Sequence, residues 1–309
     1  MNQMPLDQLT KVIKDAFDGV AKVRKSFQTF FIETMILYLS IPKRINFMQM
    51  SRFGDSCESR FRQNFRKEFD WVGYNSGFTS HMAGHRIALA IDPSHIDKSG
   101  SHTPGVGYFW SGCASAAKHG LEILDIAVID ADEKDAVHLK AVQTVDTVKV
   151  GRPPKYIAGM KNPNSLTAWY LRALAQEKDA LLKISNIVVA DAFFSKESFV
   201  TGVTLLGFHL VSRFRSDVSL KYLYTASKTG KKGRPKEVDG KVDLDNLRMD
   251  VFHEENYDDG EGKMVTLYTA VVRATSLKRN VRVVIVDCME PSKKTQTRKV
   301  FFSTDTEMS

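Results

Sequence analysis

A short apolar segment that ends in an aspartate, residues 187–191, most constrains what this chain can fold into. It reads Ile-Val-Val-Ala-Asp, which predicts a buried strand with Asp191 at its C-terminal end. A second apolar segment, residues 86–92, ends in the same way at Asp92. A carboxylate at the end of a buried strand costs free energy of desolvation unless it is paired, hydrogen-bonded or bound to a metal. We therefore expect two neighbouring strands, with both aspartates at the sheet edge as ligands of a divalent metal.

The net charge favours a polyanionic partner. Lys plus Arg number 44 against 36 Asp plus Glu, a formal charge of +8, which indicates such a partner without identifying it. Three widely spaced cysteines, at positions 57, 113 and 288, exclude a disulfide framework and a Cys-x-x-Cys zinc site, and they are typical of a reducing compartment. No segment approaches the ~18 consecutive apolar residues of a membrane span. We expect a cytoplasmic location with access to the nucleoid.

Residues 1–85 predict a helical region that binds DNA. Apolar residues recur at helical spacing in two stretches, a short helix over 46–52 ends near Gly54, and Asp55 with Glu58 predicts a capping box for the next helix. A helix, a glycine turn and a basic helix are the outline of a helix-turn-helix DNA reader. An amphipathic helix with a solvated basic face explains the spacing equally well. Residues 1–86 carry 13 Lys and Arg against 8 Asp and Glu, which favours DNA contacts by Arg60, Arg62 and Lys67.

Two histidines of this region, His81 and His85, stand four residues apart like a helical metal-binding pair. The zinc-protease motif requires Glu directly after the first His, and this chain has Met82 there. We therefore assign the pair a structural role.

Residues 86–217 predict the core of the protein. Segments 86–92, 105–112 and 121–130 predict three sequential strands of an antiparallel meander. A helix from about residue 166, the strand of Asp191, a helix over 196–206 and a strand over 208–214 follow, with Ser195 and Gly207 as caps of the second helix. This is the element order of an RNase H-like core, in which the first and fourth strands lie side by side. The fold class is therefore mixed α/β.

The paired acids predict a Mg²⁺ or Mn²⁺ site rather than a zinc site, because hard cations prefer carboxylate oxygens. Two such ions about 3.5–4 Å apart can activate a water or a 3′-hydroxyl for in-line phosphodiester displacement. A single aspartate at a strand end is more often a turn or cap residue. The strand order favours catalysis for Asp92 and Asp191 together.

Residues 218–299 predict an inserted β-rich subdomain of short alternating strands, clearest over 222–225, 265–274 and 280–288. Between them lies Lys-Thr-Gly-Lys-Lys-Gly-Arg-Pro-Lys, residues 228–236. It resembles a minor-groove hook, with Lys231, Lys232 and Arg234 as the DNA-contacting residues. A solvated hairpin tip explains the same composition.

Three short sequences carry a family resemblance in order along the chain. They are Asp92-Pro-Ser with Lys98 and Gly100, then Val189-Ala-Asp-Ala-Phe-Phe-Ser-Lys196, then His209-Leu-Val-Ser-Arg-Phe-Arg215 with Asp217 and Leu220. Together they resemble signatures of bacterial insertion-sequence DDE transposases whose RNase H-like core is interrupted by a β-domain. The resemblance implies magnesium-dependent DNA transposition of a transposable element, with Asp92 and Asp191 as the first two catalytic acids. It also implies Lys98, Arg213 and Arg215 near the DNA, and a homodimer on paired double-stranded element ends.

The same resemblance implies a third acid, a Glu on a helix after the insertion within a Tyr, Arg, Glu, Lys pattern. Residues 300–309 resemble the strand and turn before that helix, and Glu307 lacks a Tyr or Arg at the expected spacing. We find no third catalytic acid and expect a chain truncated before it. Three interpretations stay open: an incomplete transposase, a catalytically inactive DNA-binding remnant, and a nuclease with the same core and a different third acid.

Overall fold

The computed structural model describes residues 6–20, 23–144, 165–225, 236–258, 264–289 and 296–308. The chain divides into two compact units, Met1–Arg86 with Asp130–Lys140, and Ile87–Ile129 with Ala141–Ser309. The predicted DNA hook with Lys231, Lys232 and Arg234 lies outside the described residues. Within the described ranges, no helix is both long and apolar enough to cross a membrane.

The first unit is built on helices, as the apolar spacing predicted. They are α1 Leu6–Asp15, α2 Lys25–Ser40, α3 Phe47–Phe53, α4 Glu58–Asn64 and α5 Trp71–Ser76, with 3-10 helices at Ala16–Gly19 and Gly77–Met82. An aromatic cluster joins them: the Phe17 ring lies 5.2 Å from Phe31 and 5.0 Å from Tyr74. The Tyr74 hydroxyl donates to the Ile13 carbonyl oxygen, and burial raises the pKa of Tyr74 to about 12. This core holds the helices together without a sheet of its own.

The turn between α3 and α4 differs from the predicted capping box. Asn46 caps α3 by accepting a 2.9 Å hydrogen bond from the Gln49 N–H group, but α4 begins after Cys57 without a side-chain cap. Glu33 on α2 organises the turn instead, because its carboxylate accepts bonds of 2.7 and 2.6 Å from the N–H and hydroxyl groups of Ser56. The Glu33–Ser56 contact, made from helix α2, takes the place of the predicted local cap. The prediction that Asp55 and Glu58 form a capping box was wrong.

The second unit contains helices α6 Leu166–Ile184 and α7 Glu197–Leu205 and most of the strands. The strands are β1 Ile87–Asp97, β2 Gly107–Ser111, β3 Ala116–Asp130, β4 Asp135–Thr144, β5 Ile187–Ala190, β6 His209–Arg213, β7 Leu220–Leu223, β8 Val238–Lys241, β9 His253–Asp258, β10 Met264–Ala274, β11 Arg279–Met289 and β12 Gln296–Ser303. The fold class is mixed α/β, as predicted, with a large and mostly antiparallel sheet.

The sheet has a parallel centre and an antiparallel extension. Ten strands follow the order β2-β3-β1-β5-β6-β12-β11-β10-β7-β8, and β9 pairs with β10. β1, β5 and β6 are parallel, whereas β6, β12, β11 and β10 pair antiparallel. The predicted meander was wrong in its order, since β2 pairs with β3 and β3 lies next to β1. Strands β7 to β11, from the predicted β-rich region, continue the same sheet through β12.

Helix α7 begins just after the turn that follows Asp191 and ends before β6. Gly207 follows it with φ +94°, the left-handed conformation that favours glycine, as predicted. The predicted Ser195 cap was wrong: the Ser195 hydroxyl donates to the Ala192 carbonyl oxygen at 2.7 Å, and Lys196 occupies the cap position. Ser165 caps α6 by accepting from the Ala168 N–H group at 3.2 Å. The two helices pack closely because Gly202 of α7 leaves room for the buried Leu171 side chain.

The two histidines of the first unit have acidic partners, in agreement with their structural assignment. His85 Nδ1 lies 2.5 Å from Asp130 Oδ2, and His81 Nε2 lies 3.0 Å from Asp135 Oδ2. The short bond raises the pKa of His85 and lowers that of Asp130. The pair therefore fastens residues 130–140 to the helices of the same unit.

Candidate active site

Asp92 and Asp191 lie at matching places on two neighbouring parallel strands. Leu89 pairs with Val188 and Ala90 with Val189, so the same register continued by two residues places Asp92 beside Asp191. Adjacent strands lie about 4.8 Å apart, and paired residues project from the same face of the sheet. Both aspartates are exposed, whereas the residues that precede them are buried. The strand topology therefore brings together two acids that are 99 residues apart in the sequence.

Local hydrogen bonds fix the direction of Asp191. Its Oδ1 atom accepts a 2.9 Å bond from the Phe193 N–H group, which opens the 3-10 helix Ala192–Phe194. The Ser212 hydroxyl on β6 donates to the Asp191 carbonyl oxygen at 2.7 Å. The Oδ2 atom accepts no hydrogen bond from a residue that the structure describes. One carboxylate oxygen therefore holds the turn, and the other is available to a ligand.

The electrostatics of Asp92 indicate a place for a cation. Partial burial raises its pKa, and the negative charges of Asp191 and Asp125 raise it further. Asp125 lies on β3, the strand on the other side of β1. Neighbouring negative charges disfavour the ionised form of Asp92, and a positive ion beside it would reverse that effect. Acidic side chains from β3, from β1 and from the turn after β5 therefore concentrate negative charge around Asp92.

A buried tyrosine–glutamate pair lies close to the aspartates. The Tyr170 hydroxyl on α6 donates a 2.6 Å hydrogen bond to Glu122 Oε1 on β3, and both side chains are buried. Burial raises the pKa of Tyr170, and so do the charges of Glu122, Asp92 and Asp191. The Tyr170 ring also lies 5.5 Å from that of Phe194 in the turn after Asp191. The sequence did not single out this pair, because Glu122 stands in an alternating strand pattern without a motif.

The donor set at Asp92 and Asp191 fits a hard divalent cation. Mg²⁺ is usually held by one or two carboxylates together with waters and substrate phosphates, which is what two adjacent exposed aspartates can supply. Among the described residues, no group of three or more His, Cys, Asp or Glu side chains is placed to hold a metal. Glu307 follows β12, where its N–H group donates to Asp305 Oδ1 at 3.0 Å. A third acid thus remains unassigned.

Four cations near this edge of the sheet have different surroundings. Arg213 is exposed at the end of β6, and Arg215 lines a cleft beside the turn that follows Asp191. Lys196 lines the same cleft, with its Nζ atom 3.6 Å from the centroid of the Phe193 ring. Lys98 is exposed after β1. The structure therefore places Arg215 in a cleft lined by the residues that follow Asp191, and it adds Lys196, which the sequence had placed only within a motif.

The predicted DNA-contacting residues of the first unit lie on its surface and contact their own unit. Arg62 bonds to Glu58 and lies over the Phe47 ring at 5.3 Å. Arg60 lies over Phe30, and Lys67 bonds to Asn64. Because helix α4 ends at Asn64, Lys67 follows it rather than sharing its basic face. Their role in DNA binding stays a prediction.

Comparisons with known proteins give one strong similarity. The family described as "DDE superfamily endonuclease" matches residues 78–266, more than half of the chain, and this range includes both Asp92 and Asp191. No curated protein matches the chain. Among solved structures, a Ciona intestinalis endonuclease V in complex with a 24mer DNA containing an inosine followed by a ribo-adenosine is similar over 72% of this chain and 71% of that chain, with 9% identity and a TM-score of 0.28. That likeness is too low to support an inference.

Proposed function

The chain belongs to the DDE superfamily of endonucleases, and on that premise we propose that it is a DNA transposase of an insertion sequence with Asp92 and Asp191 as its first two catalytic acids. The reaction class is cleavage of a phosphodiester bond in DNA followed by strand transfer. The pairing of the two strands that carry these acids is the observation on which the proposal depends. The cofactor is Mg²⁺ or Mn²⁺, and the partner is double-stranded DNA at the element ends.

An RNase H-like core over residues 86–217 is part of this proposal. The order β3-β1-β5-β6 supports it, with β1, β5 and β6 parallel and helices α6 and α7 in the two crossovers. Asp92 within β1 lies beside Asp191 at the C-terminal end of β5, and ligands of α/β sheets bind beyond the C-terminal ends of the strands. Residues 218–299 would be the inserted β-rich subdomain and residues 300–309 the return to the core.

The chain's own groups would act by position and charge. A bound divalent ion supplies charge stabilisation for phosphodiester displacement and activates the attacking oxygen. Asp92 and Asp191 would hold the ion, and the Ser212 hydroxyl and the turn after Asp191 would keep that carboxylate in one orientation. Lys196 and Arg215 lie on the neighbouring cleft wall, where they would attract the DNA phosphates.

The proposal is tested by DNA cleavage with the full chain. We expect relaxation of a supercoiled plasmid in the presence of Mg²⁺ or Mn²⁺, and loss of this nicking in EDTA and in the Asp92→Asn and Asp191→Asn variants. Asp179→Asn, an exposed aspartate of α6, is the matched control and should nick like the parent. Nicking that survives both active-site substitutions would overturn the assignment. Joining of a cut end to a target strand would separate a transposase from a nuclease.

A DNA-binding protein without catalysis is the second candidate. The observation that favours it is that no group of three acids among the described residues is placed to hold a metal, although the charge of Asp125 acts on Asp92. A site with two acids holds the reacting groups less precisely, and misplacement by about 1 Å can cost a hundredfold in rate. Metal-independent DNA binding with no nicking under any condition would select this candidate. A homodimer on paired ends and association with the nucleoid belong to either proposal.

A further inference from the structure

The cleft beside Asp191 has the chemistry of an anion-binding surface. It encloses about 420 Å³, and its lining includes the cations Lys196 and Arg215 and two aromatic residues. Four hydroxyl residues also line it: Ser195, Ser219, Thr275 and Ser276. Asp217 is the one acid in its lining. Neither Lys196 nor Arg215 forms an ion pair with a residue that the structure describes. The cations and hydroxyl groups are the donors that phosphate oxygens accept from.

A second cleft continues from the first. It encloses about 390 Å³ and is lined by Lys221, Arg273, Lys278, Lys236 and Glu237, and Thr275 belongs to both clefts. Lys278 stands in the β10–β11 turn with φ +55°, which points to a turn position rather than to a strand. Lys236 already pairs with Asp239 at 2.7 Å. The other three cations of this cleft form no ion pair in the described part of the chain.

Like charges face one another across three adjacent strands at this place. Arg273 on β10 pairs with Lys221 on β7, and Lys221 in turn pairs with Lys241 on β8. Like charges directly opposite each other destabilise a sheet. Arg273 Nη1 donates to Asn280 Oδ1 at 3.4 Å, which satisfies one donor without neutralising the charge. Glu237 is the one acid in the lining of the second cleft. A row of three cations opposite one another on paired strands indicates a surface that an anion neutralises when it binds.

We propose that the two clefts and the row Arg273–Lys221–Lys241 form one track for the DNA phosphodiester backbone, which leads from Asp191 across Thr275 onto the strands β10, β7 and β8. The inference rests on the proposed function in taking DNA as the substrate. It gives the β-rich region a role, since its strands would hold the DNA that the aspartates cut. The track reads no base sequence, because phosphate contacts position DNA without specifying it.

The salt dependence of DNA binding tests the track. The row variant Lys221→Gln, Arg273→Gln, Lys241→Gln is compared with a control that removes the same charge from exposed lysines elsewhere, Lys134→Gln, Lys118→Gln, Lys183→Gln. Binding of a duplex of about 30 base pairs is measured in EDTA at several salt concentrations. The slope of log K against log salt is negative, and each lost phosphate contact should reduce its magnitude by about 0.9. The magnitude should therefore fall by about 2–3 in the row variant and stay unchanged in the control.

A slope equal to the parent's in the row variant would overturn the track. The charge-keeping variant Lys221→Arg, Lys241→Arg should retain the parent slope, which separates lost charge from altered folding. The row variant should also be at least as stable as the parent, because the substitutions remove repulsion. The two proposals fail in different ways. If the parent does not nick DNA but the row variant has a reduced slope, the proposed function fails and the track stands. If the parent nicks DNA but the row variant keeps the parent slope, the proposed function stands and the track fails.

Discussion

The Tyr170 hydroxyl on α6 donates its hydrogen bond to Glu122 on β3, and both side chains are closed off from water. The same tyrosine packs against Phe194 in the turn that follows Asp191. A helix, a strand and the candidate site therefore depend on one buried polar contact. A buried carboxylate without its donor bears the full cost of desolvation.

Substitution of Tyr170 by Phe should lower the free energy of unfolding by about 1–3 kcal/mol, since Glu122 would lose its donor. Glu122→Gln should cost less, because the amide oxygen still accepts from the Tyr170 hydroxyl. Tyr108→Phe is the control, as Tyr108 is 76% exposed, and it should change stability by less than about 0.5 kcal/mol. Urea denaturation of the three variants checks the order, and equal effects of Tyr170→Phe and Tyr108→Phe would contradict it.

The bond between His85 and Asp130 should make stability depend on pH in both directions. The raised pKa of His85 means that the bond contributes fully below the unfolded value of about 6.5 and is lost as the pH rises through the folded value. The lowered pKa of Asp130 means that its contribution is present above about 3.9 and is lost as the pH falls through the folded value. Urea midpoints measured from about pH 6 to pH 9 should fall for the parent and stay level for His85→Gln. Parallel curves would show that the pair does not titrate as described.

Gly120 on β3 allows the end of β1 to approach. A methyl group at this position would overlap the backbone carbonyl oxygen of Ile96, and backbone atoms cannot move aside cheaply. We expect Gly120→Ala to destabilise the protein by about 1–3 kcal/mol and to disturb the strand that carries Asp92. Gly112→Ala, whose methyl group would meet no atom within 4 Å, is the matched control. Thermal unfolding compares them, and equal melting temperatures would refute the packing argument.

The basic residues of the first unit give a separate prediction about DNA. Reversal of Arg60, Arg62 and Lys67 to Glu should weaken retention of DNA in a gel-shift assay at moderate salt, because the electrostatic attraction is lost. Arg62→Gln alone should have a smaller effect, since Glu58 already neutralises part of its charge. Unfolding curves of each variant show whether the helices are intact, because all three cations also contact aromatic rings. Unchanged binding by a folded triple variant would exclude this surface.

The strands that carry the aspartates were predictable because buried parallel strands are continuous apolar runs. The predicted end of the first strand at Asp92 was wrong, since β1 continues to Asp97. The pairing of these two strands was predicted from the order of strands and helices along the chain. The order of β1, β2 and β3 in the sheet was not predictable. Alternating apolar and polar residues identify a strand but do not show which other strand pairs with it. The Asp55 cap failed because Glu33, 23 residues from Ser56, competed for the same turn. The Tyr170–Glu122 pair and the row of cations arise only from tertiary proximity, for which one sequence carries no signal.

Binding of Mn²⁺ to the full chain, followed by the electron paramagnetic resonance signal of the free ion, tests the central claim that Asp92 and Asp191 form one metal site. Removal of either carboxylate should lower the affinity at least about tenfold, or about 1.4 kcal/mol, in Asp92→Asn and Asp191→Asn alike. The Asp179→Asn control should bind as the parent does. Because both acids serve the same ion, the double variant should be little worse than either single one. Equal Mn²⁺ affinity in the parent and in both single variants would contradict the account.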